Sequence, residues 1–401
     1  MRVLLLHPAS SFGGASKSLC EFAGQAVSPE VELHVICPPG KAADTFALVG
    51  MKVRPVRGLS QFDNTRYGHY RGARWLVLLR ELALLPFSLA ALLRARRDGG
   101  FDLIHINEIT LLPLGLLAKK LLGIPLVVHV RSLQRRAGPI SAWIGHRLQR
   151  DADAVIAIDE TVKRTLPGAV DAQVIHNGLA VGTVPAEVAP HVFRVGIVGL
   201  LLKLKGVYEF VEAARILLKE RGVSAEFWIV GENARSVHGL KGWVLRKLDF
   251  ARDVRQELQI AIERDGLGDA VRLKGFQTDV QAVYRQLDVL CFPSYLDAAG
   301  RPVFEAAFFG LPSIVAVCNA PPDTIVHNKT GLCIDRPDPV ALADAIERLY
   351  RDPELRRQLG SNARTLAETN FDIARNAQKL LALYRRVLAV GFGRAVPQRE
   401  G

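Results

Sequence analysis

Cysteine is scarce and unpatterned in this chain. Cys20, Cys37, Cys291, Cys318 and Cys333 are odd in number, show no C-x-x-C spacing and mostly lie in apolar runs. That excludes a disulfide framework and a zinc site, and it fits reduced core cysteines in a cytosolic protein. A signal peptide is not expected from this stretch: Met1 to Leu6 could begin one, but His7-Pro8 stops the run, so a first buried strand is expected there. No internal repeat or low-complexity segment occurs apart from a short polar tail after Gly391. The first strand-to-helix turn has no G-x-G-x-x-G and so carries no dinucleotide fingerprint. Neither an aromatic-basic RNA signature nor a DNA-binding motif accompanies the positive charge, and nucleic acid is not an expected partner.

Apolar sequence, by contrast, is plentiful. The 401 residues are 49% hydrophobic, enough for two domains with separate cores. The net charge of +12 is unevenly placed: residues 52–97 hold ten Lys or Arg against Asp63 and Glu81, while the rest of the first 186 residues balances twelve against twelve. Such a patch beside apolar sequence suits an anionic membrane surface or an acidic acceptor. Within it, residues 75–93 are apolar nearly all round, interrupted by Arg80, Glu81 and Pro86. The length could span a bilayer, but an Arg-Glu pair near its middle would be costly there. The expectation is a helix pair broken near Pro86, serving either as plain core or as an interfacial membrane contact.

Strands are expected at residues 2–7, 32–37, 52–56, 101–107, 125–131, 154–158 and 173–176, with an apolar helix at 111–122 making a βαβ unit. This pattern predicts a doubly wound parallel sheet, with ligands off the carboxyl ends of its strands. Gly13-Gly14, Asn107 and His129 fall at such ends. A glycine pair lets the backbone approach a ligand closely, whereas a lone histidine at a strand end is more often a structural hydrogen-bonder. Asp151-Ala-Asp153 introduces a strand, so its expected place is the surface and no metal is expected. Residues 180–190, with Gly182, Pro185 and Pro190, read as a linker.

The second half opens with a strand at 192–198, then Gly199, Lys203 and Lys205-Gly206, then a helix at 207–220. That arrangement offers cations and backbone amides to a diphosphate; the plainer alternative is a solvated lysine pair. A basic stretch at 233–264 suggests no chemistry. Residues 289–312 read as strand, loop, short helix and stop, punctuated by Pro293, Gly300, Pro302 and Gly310. Asp297 and Glu305 flank the helix start eight positions apart, as acceptors for sugar or ribose hydroxyls or as an incidental surface pair.

Asp297-x7-Glu305, set in Gly-Arg-Pro-Val-Phe-Glu-Ala and followed by Gly-Leu-Pro, resembles the acidic-x7-Glu signature of retaining nucleotide-sugar glycosyltransferases of family 4. The resemblance covers nearly the whole chain and is strongest from Gly199 to Pro312. It implies the α/β GT-B fold, two Rossmann-like doubly wound parallel-sheet domains facing a central cleft. The expected divisions are 1–182 on the acceptor side, 183–372 for the nucleotide sugar, and a helix at 373–391 crossing back to the first domain.

The resemblance further implies that Asp297 touches the transferred sugar and Glu305 the ribose. Gly13 and Gly14 would lie by the donor phosphates and sugar, and His129 by the sugar. Lys205, with Lys203 and the helix start near Val303, would neutralise the leaving diphosphate. Phe276 ends the strand that receives the base, and Gly199, Gly300, Arg301 and Pro302 complete the donor-binding set. A nucleotide-diphosphate sugar is the co-substrate and no other cofactor is implied. The acceptor would be a glycan, a lipid-linked molecule or a cell-surface polysaccharide, handled in the cytoplasm, peripherally on the inner membrane face. Three positions depart from the pattern: Leu200 replaces the usual Arg, Asp297 the usual Glu and His176 the usual Pro. They keep in view a catalytically weakened sugar-nucleotide or glycan-binding member acting as a membrane-surface scaffold, and, separately, an epimerase or phosphorylase of the same fold.

Overall fold

The first strand, β1 (Arg2–Leu6), shows how the sheets are built. Val3 and Leu5 enter one core layer, Leu4 and Leu6 the other. A strand covered on both faces must be apolar throughout, which is why the sequence does not alternate there. The structure, a computed structural model, describes residues 1–66, 75–180, 192–233 and 253–394. It divides into two compact units, one of Met1–Ala180 and Asn370–Gly401, the other of Val181–Thr369.

After β1 the first unit runs through α1 (Gly14–Ala26), β2 (Glu32–Cys37), α2 (Lys41–Leu48), β3 (Lys52–Pro55), α3 (Val77–Asp98) and β4 (Leu103–Ile106). It continues with α4 (Leu112–Leu122), β5 (Leu126–Val130), α5 (Pro139–Asp151), β6 (Ala154–Ala157), α6 (Glu160–Lys163) and β7 (Ala172–Val174). The parallel sheet has the order β3-β2-β1-β4-β5-β6-β7, so the chain reverses its direction of winding between β1 and β4. Local sequence sets the boundaries: Pro113 lies in the first turn of α4, Gly123 ends that helix in the left-handed region, and Asp159 accepts the Val162 N–H at 2.7 Å at the head of α6.

The second unit holds β8 (Phe193–Val198), α7 (Val207–Arg215), β9 (Ala225–Val230), α8 (Val254–Arg264), β10 (Val271–Gly275), α9 (Val280–Tyr284) and β11 (Val289–Phe292). Then come α10 (Arg301–Ala307), β12 (Ser313–Ala316), β13 (Gly331–Ile334), α11 (Pro339–Arg351) and α12 (Pro353–Asn370). Its parallel sheet has the order β10-β9-β8-β11-β12-β13, reversing between β8 and β11. The last helix, α13 (Ile373–Arg394), belongs to the first unit, where Ala377, Leu380, Leu383 and Tyr384 share a core with Leu19 and Phe22 of α1.

One expectation is corrected. The apolar stretch around Pro86 forms the single helix α3 of 22 residues instead of a broken pair, and several of its leucines are exposed instead of packed as plain core. Pro86 removes only the hydrogen bond to the Leu82 carbonyl, and both residues lie on the exposed side, where water can serve that carbonyl. Asp153 does mark the start of β6: its Oδ2 accepts the Leu126 N–H at 2.7 Å and pairs with Lys119 at 2.5 Å. Most of the expected linker (181–191), residues 67–74 of the basic patch, residues 234–252 of the second basic stretch and the tail from 395 lie outside the described residues.

Candidate active site

In a doubly wound sheet the loops diverge where the winding reverses, leaving a crevice beyond the strand ends. In the second unit the expected donor residues follow the two strands at that point. Gly199, with φ +144°, leaves β8, and a Cβ on Gly231 would sit 1.8 Å from the Gly199 oxygen, so the ends of β8 and β9 meet backbone to backbone. Lys203–Lys205 forms a 3-10 turn closed by Gly206 (φ +73°), where a Cβ would meet the Pro293 oxygen at 1.9 Å. The loop after β11 is pinned to this turn, since Ser294 Oγ and the Tyr295 N–H both donate to the Leu204 carbonyl, at 3.1 and 3.0 Å.

Lys205 therefore sits beside the β11 loop, its Nζ 4.8 Å from the centre of the Phe292 ring. Burial alone pushes its ammonium below the ordinary lysine value, and among the described residues it has no salt-bridge partner. A desolvated cation without a carboxylate is poised for an anion from outside. The same Phe292 ring explains Gly300, where a Cβ would lie 2.3 Å from Cζ. Leu200 is 53% exposed, and Lys203 is exposed.

Both carboxylates are engaged. Asp297 adopts φ +50°, uncommon for a residue with a side chain, and its Oδ1 accepts the Cys318 N–H at 2.9 Å. Glu305 is buried; Oε1 accepts from Arg301 Nε at 2.6 Å, and Oε2 from the Tyr284 hydroxyl at 2.9 Å. Its carboxylate is thereby fixed against α9 and the first turn of α10. Pro302 and Val303 continue that short helix, while Phe276 stands 69% exposed just past β10. Nothing local in the sequence announces Tyr284; it lies 21 residues ahead of Glu305.

In the first unit the residues beyond β1, β4 and β5 form one hydrogen-bond chain. Ser16 Oγ donates to the Ser11 carbonyl at 3.0 Å, so it must accept from His7 Nε2, also at 3.0 Å. His7 Nδ1 then accepts from Asn107 Nδ2 at 2.9 Å, and Asn107 Oδ1 accepts from Arg131 Nε at 3.0 Å. Arg131 also donates to Asn177 Oδ1 at 2.7 Å and to His129 Nδ1 at 3.3 Å. An arginine only donates, so His129 carries its proton on Nε2. Burial first, then the Arg131 charge, pushes His7 down to about 3 and His129 well below its usual range. His105, whose ring centre is 5.4 Å from that of His129 and whose Nδ1 meets the Tyr384 hydroxyl, is pushed down to about 3 by the same causes. All three imidazoles are neutral near pH 7.

His129 is the fourth residue of β5 and is buried, so it lies inside the strand; Arg131 stands just past the strand end. The sequence reading singled out neither His7 nor Arg131 as site residues. The available signal was a polar side chain terminating a fully apolar strand. Gly13 caps α1 and Gly14 begins it; both are exposed, neither has positive φ, and a Cβ on either would meet nothing within 4 Å. Packing within the unit does not require glycine at these positions.

Two family models match the chain, Glycosyltransferase Family 4 over residues 12–181 and Glycosyl transferases group 1 over residues 190–366. The D-inositol 3-phosphate glycosyltransferase of Paenarthrobacter aurescens (strain TC1) is 33% identical over 215 residues, 53% of this chain and 48% of that protein. The capsular polysaccharide biosynthesis glycosyltransferase CapM of Staphylococcus aureus is 23% identical over 202 residues, 50% of this chain and 48% of that protein. The match thus spans about half the length of these two curated relatives. The crystal structure of Anabaena HepE in complex with UDP shares the fold with a TM-score of 0.74 at 20% identity, covering 96% of this chain and 100% of that one. With a family 4 half followed by a group 1 half on two Rossmann-like parallel-sheet units, the chain belongs to the GT-B glycosyltransferases.

Proposed function

We propose that the chain is a retaining glycosyltransferase that moves a sugar from a nucleotide-diphosphate sugar to a glycan, lipid-linked or cell-surface polysaccharide acceptor. The observation that carries this reading is Lys205: a desolvated ammonium without a carboxylate partner among the described residues, at the reversal point of the second sheet. As the bond from the anomeric carbon to the diphosphate breaks, negative charge accumulates on the leaving oxygens. A preorganised cation there lowers the barrier by about 3 kcal/mol per well-placed donor. Lys203 adds a second positive charge to the same turn. In this reading Glu305 orients the ribose, Asp297 the sugar and Phe276 the base, with Gly199, Gly300, Arg301, Pro302 and Val303 shaping the donor site. In the first unit Gly13 and Gly14 are assigned to the donor phosphates and sugar, and His129 to the sugar. We assign no covalent nucleophile. The divisions 1–182, 183–372 and 373–391 would serve acceptor, donor and a return helix. The enzyme would work in the cytoplasm, with residues 52–97 contacting the inner membrane face.

The exposed Leu200 favours one rival, a member that binds sugar nucleotides without turning them over. A thermal-shift series with UDP, GDP, ADP and CDP sugars, followed by a hydrolysis assay with the donor that binds, tests both. A donor at a hundred times its Kd should add about 2.7 kcal/mol of stability. Lys205→Met is the informative variant, because Glu305→Ala would also remove the ion pair to Arg301 and the hydrogen bond from Tyr284 that hold this part of the fold. One nucleotide class raising the melting point, with the shift lost in Lys205→Met and slow donor hydrolysis present, supports the transferase. Binding without hydrolysis or transfer supports the rival, and no shift from any donor rejects both.

A further inference from the structure

Helix α3 buries polar side chains alongside the apolar Leu92 and Ala95. Its polar residues Glu81 and Ser88 are buried, while Leu76, Leu79 and Leu82 are 66%, 62% and 62% exposed. The inward side is a working contact. Glu81 Oε2 accepts the Gln61 N–H at 2.8 Å and Ser88 Oγ accepts the Ser60 N–H at 2.9 Å, fastening the strand-to-helix loop beneath the helix. The polar inner face therefore fixes which side points outward. Outward, residues 76, 79, 83, 86, 90 and 93 follow helical spacing and are all apolar. Beside this stripe stand the exposed Arg80, Arg94 and Arg97, and Arg57, which lies over the half-exposed Phe87 ring at 5.2 Å. Both acids of α3 are already used: the buried Glu81 pairs with the exposed Arg80, and Asp98 pairs with Arg54.

We propose that α3 lies flat in the interface of an anionic phospholipid bilayer, with its leucine stripe among the upper acyl chains and Arg57, Arg94 and Arg97 reaching the lipid phosphates. This deepens the peripheral contact proposed above and rests on that reading for its biological sense, though the contact itself requires no catalysis. A leucine stripe edged by arginines is the pattern of an in-plane helix, and long arginine stems can cover apolar surface while their heads remain at the phosphates. A bilayer span does not fit, because no helix among the described residues is long and apolar enough to cross a membrane. A second copy of the chain fits less well than lipid: a two-fold contact through this stripe would press the same arginines against one another, while both acids of α3, Glu81 and Asp98, are already paired. An anionic headgroup layer supplies the missing negative charge.

Flotation of the full chain with phosphatidylcholine vesicles, with and without phosphatidylglycerol, tests this. Wild-type protein should float with the anionic vesicles only, and less so at high salt. Leu79→Gln with Leu82→Gln should weaken that binding about tenfold or more while leaving the circular dichroism spectrum and the donor-induced thermal shift intact. Arg94→Gln with Arg97→Gln should weaken it and flatten the salt dependence. The proposal is overturned if wild type does not float, if the leucine pair floats as wild type does, or if wild type is a dimer that the leucine pair splits without any vesicle binding. Lys205→Met separates the two readings: it should lose the donor shift yet still float. Lost flotation with the donor shift intact would count against the membrane contact alone, and the converse against the donor site alone.

Discussion

Lys205 illustrates how a residue can oppose folding and serve a ligand. Its ammonium is partly desolvated and has no carboxylate among the described residues. Replacing it with the similarly shaped Met should leave the protein as stable as wild type or more so, by up to about 1 kcal/mol, while removing donor binding. A urea midpoint that fell instead would show that the lysine stabilises the fold. Gly14 makes the opposite test, since a methyl group there meets nothing within 4 Å and the residue opens a helix. Gly14→Ala should therefore preserve or raise stability by a few tenths of a kcal/mol. The proposed donor contact predicts a fall in turnover in the same variant, and unchanged turnover would remove the loop from the site.

At the scale of elements, α13 is tied to the first sheet by more than apolar packing. The Tyr384 ring is fully buried and its hydroxyl meets His105 Nδ1 beneath the helix. Tyr384→Phe keeps the ring and deletes that partner, so chemical denaturation should report a loss of about 1–3 kcal/mol. Unchanged stability in Tyr384→Phe, with a loss in Tyr384→Leu, would mean that the hydroxyl contributes nothing beyond shape. Element scale is also where sequence legibility was uneven. Apolar runs located β1, β5 and β11, and glycine and proline bracketed α10, because these signals are local. Helix α3 is one helix and not the expected broken pair because Pro86 falls on its exposed side, and a run of leucines looks the same whether it faces a core or solvent. The hydrogen bonds of Glu81 and Ser88 to the 60–61 backbone, with the core packing of Leu92 and Ala95, decide which face turns inward.

For the whole molecule, separate hydrophobic clusters in the two units predict two calorimetric transitions that respond to different variables. His7 and His105 titrate near pH 6.5 when unfolded and at about 3 when folded. Between those values the unfolded chain binds more protons, so the stability of the first unit is complete above about pH 6.5 and declines as pH falls toward 3, by at most about 1.4 kcal/mol per pH unit per histidine. Glu108, pushed upward by burial, works in the opposite direction. Acid should lower the transition of the first unit, and His7→Asn with His105→Gln should flatten that dependence. Donor nucleotide should raise the transition of the second unit. A single transition moved equally by both would show that the units unfold together.

The sequence by itself determined the class of fold and the chemistry on offer. Continuous apolar strands alternating with helical segments permit little but doubly wound parallel sheets, and turn glycines, lysines and spaced carboxylates are legible one loop at a time. Neighbourhood was settled by the tertiary structure. That β8 lies against β11, and β1 against β4, depends on crossovers spanning ninety residues or more, which no local pattern encodes. Those pairings bring the Lys205 turn to the Asp297 loop and join His7, Asn107 and Arg131 into one chain of hydrogen bonds. Side-chain type is written in the sequence; which polar groups are already satisfied, and so which remain for a ligand, follows only from what folding places beside them.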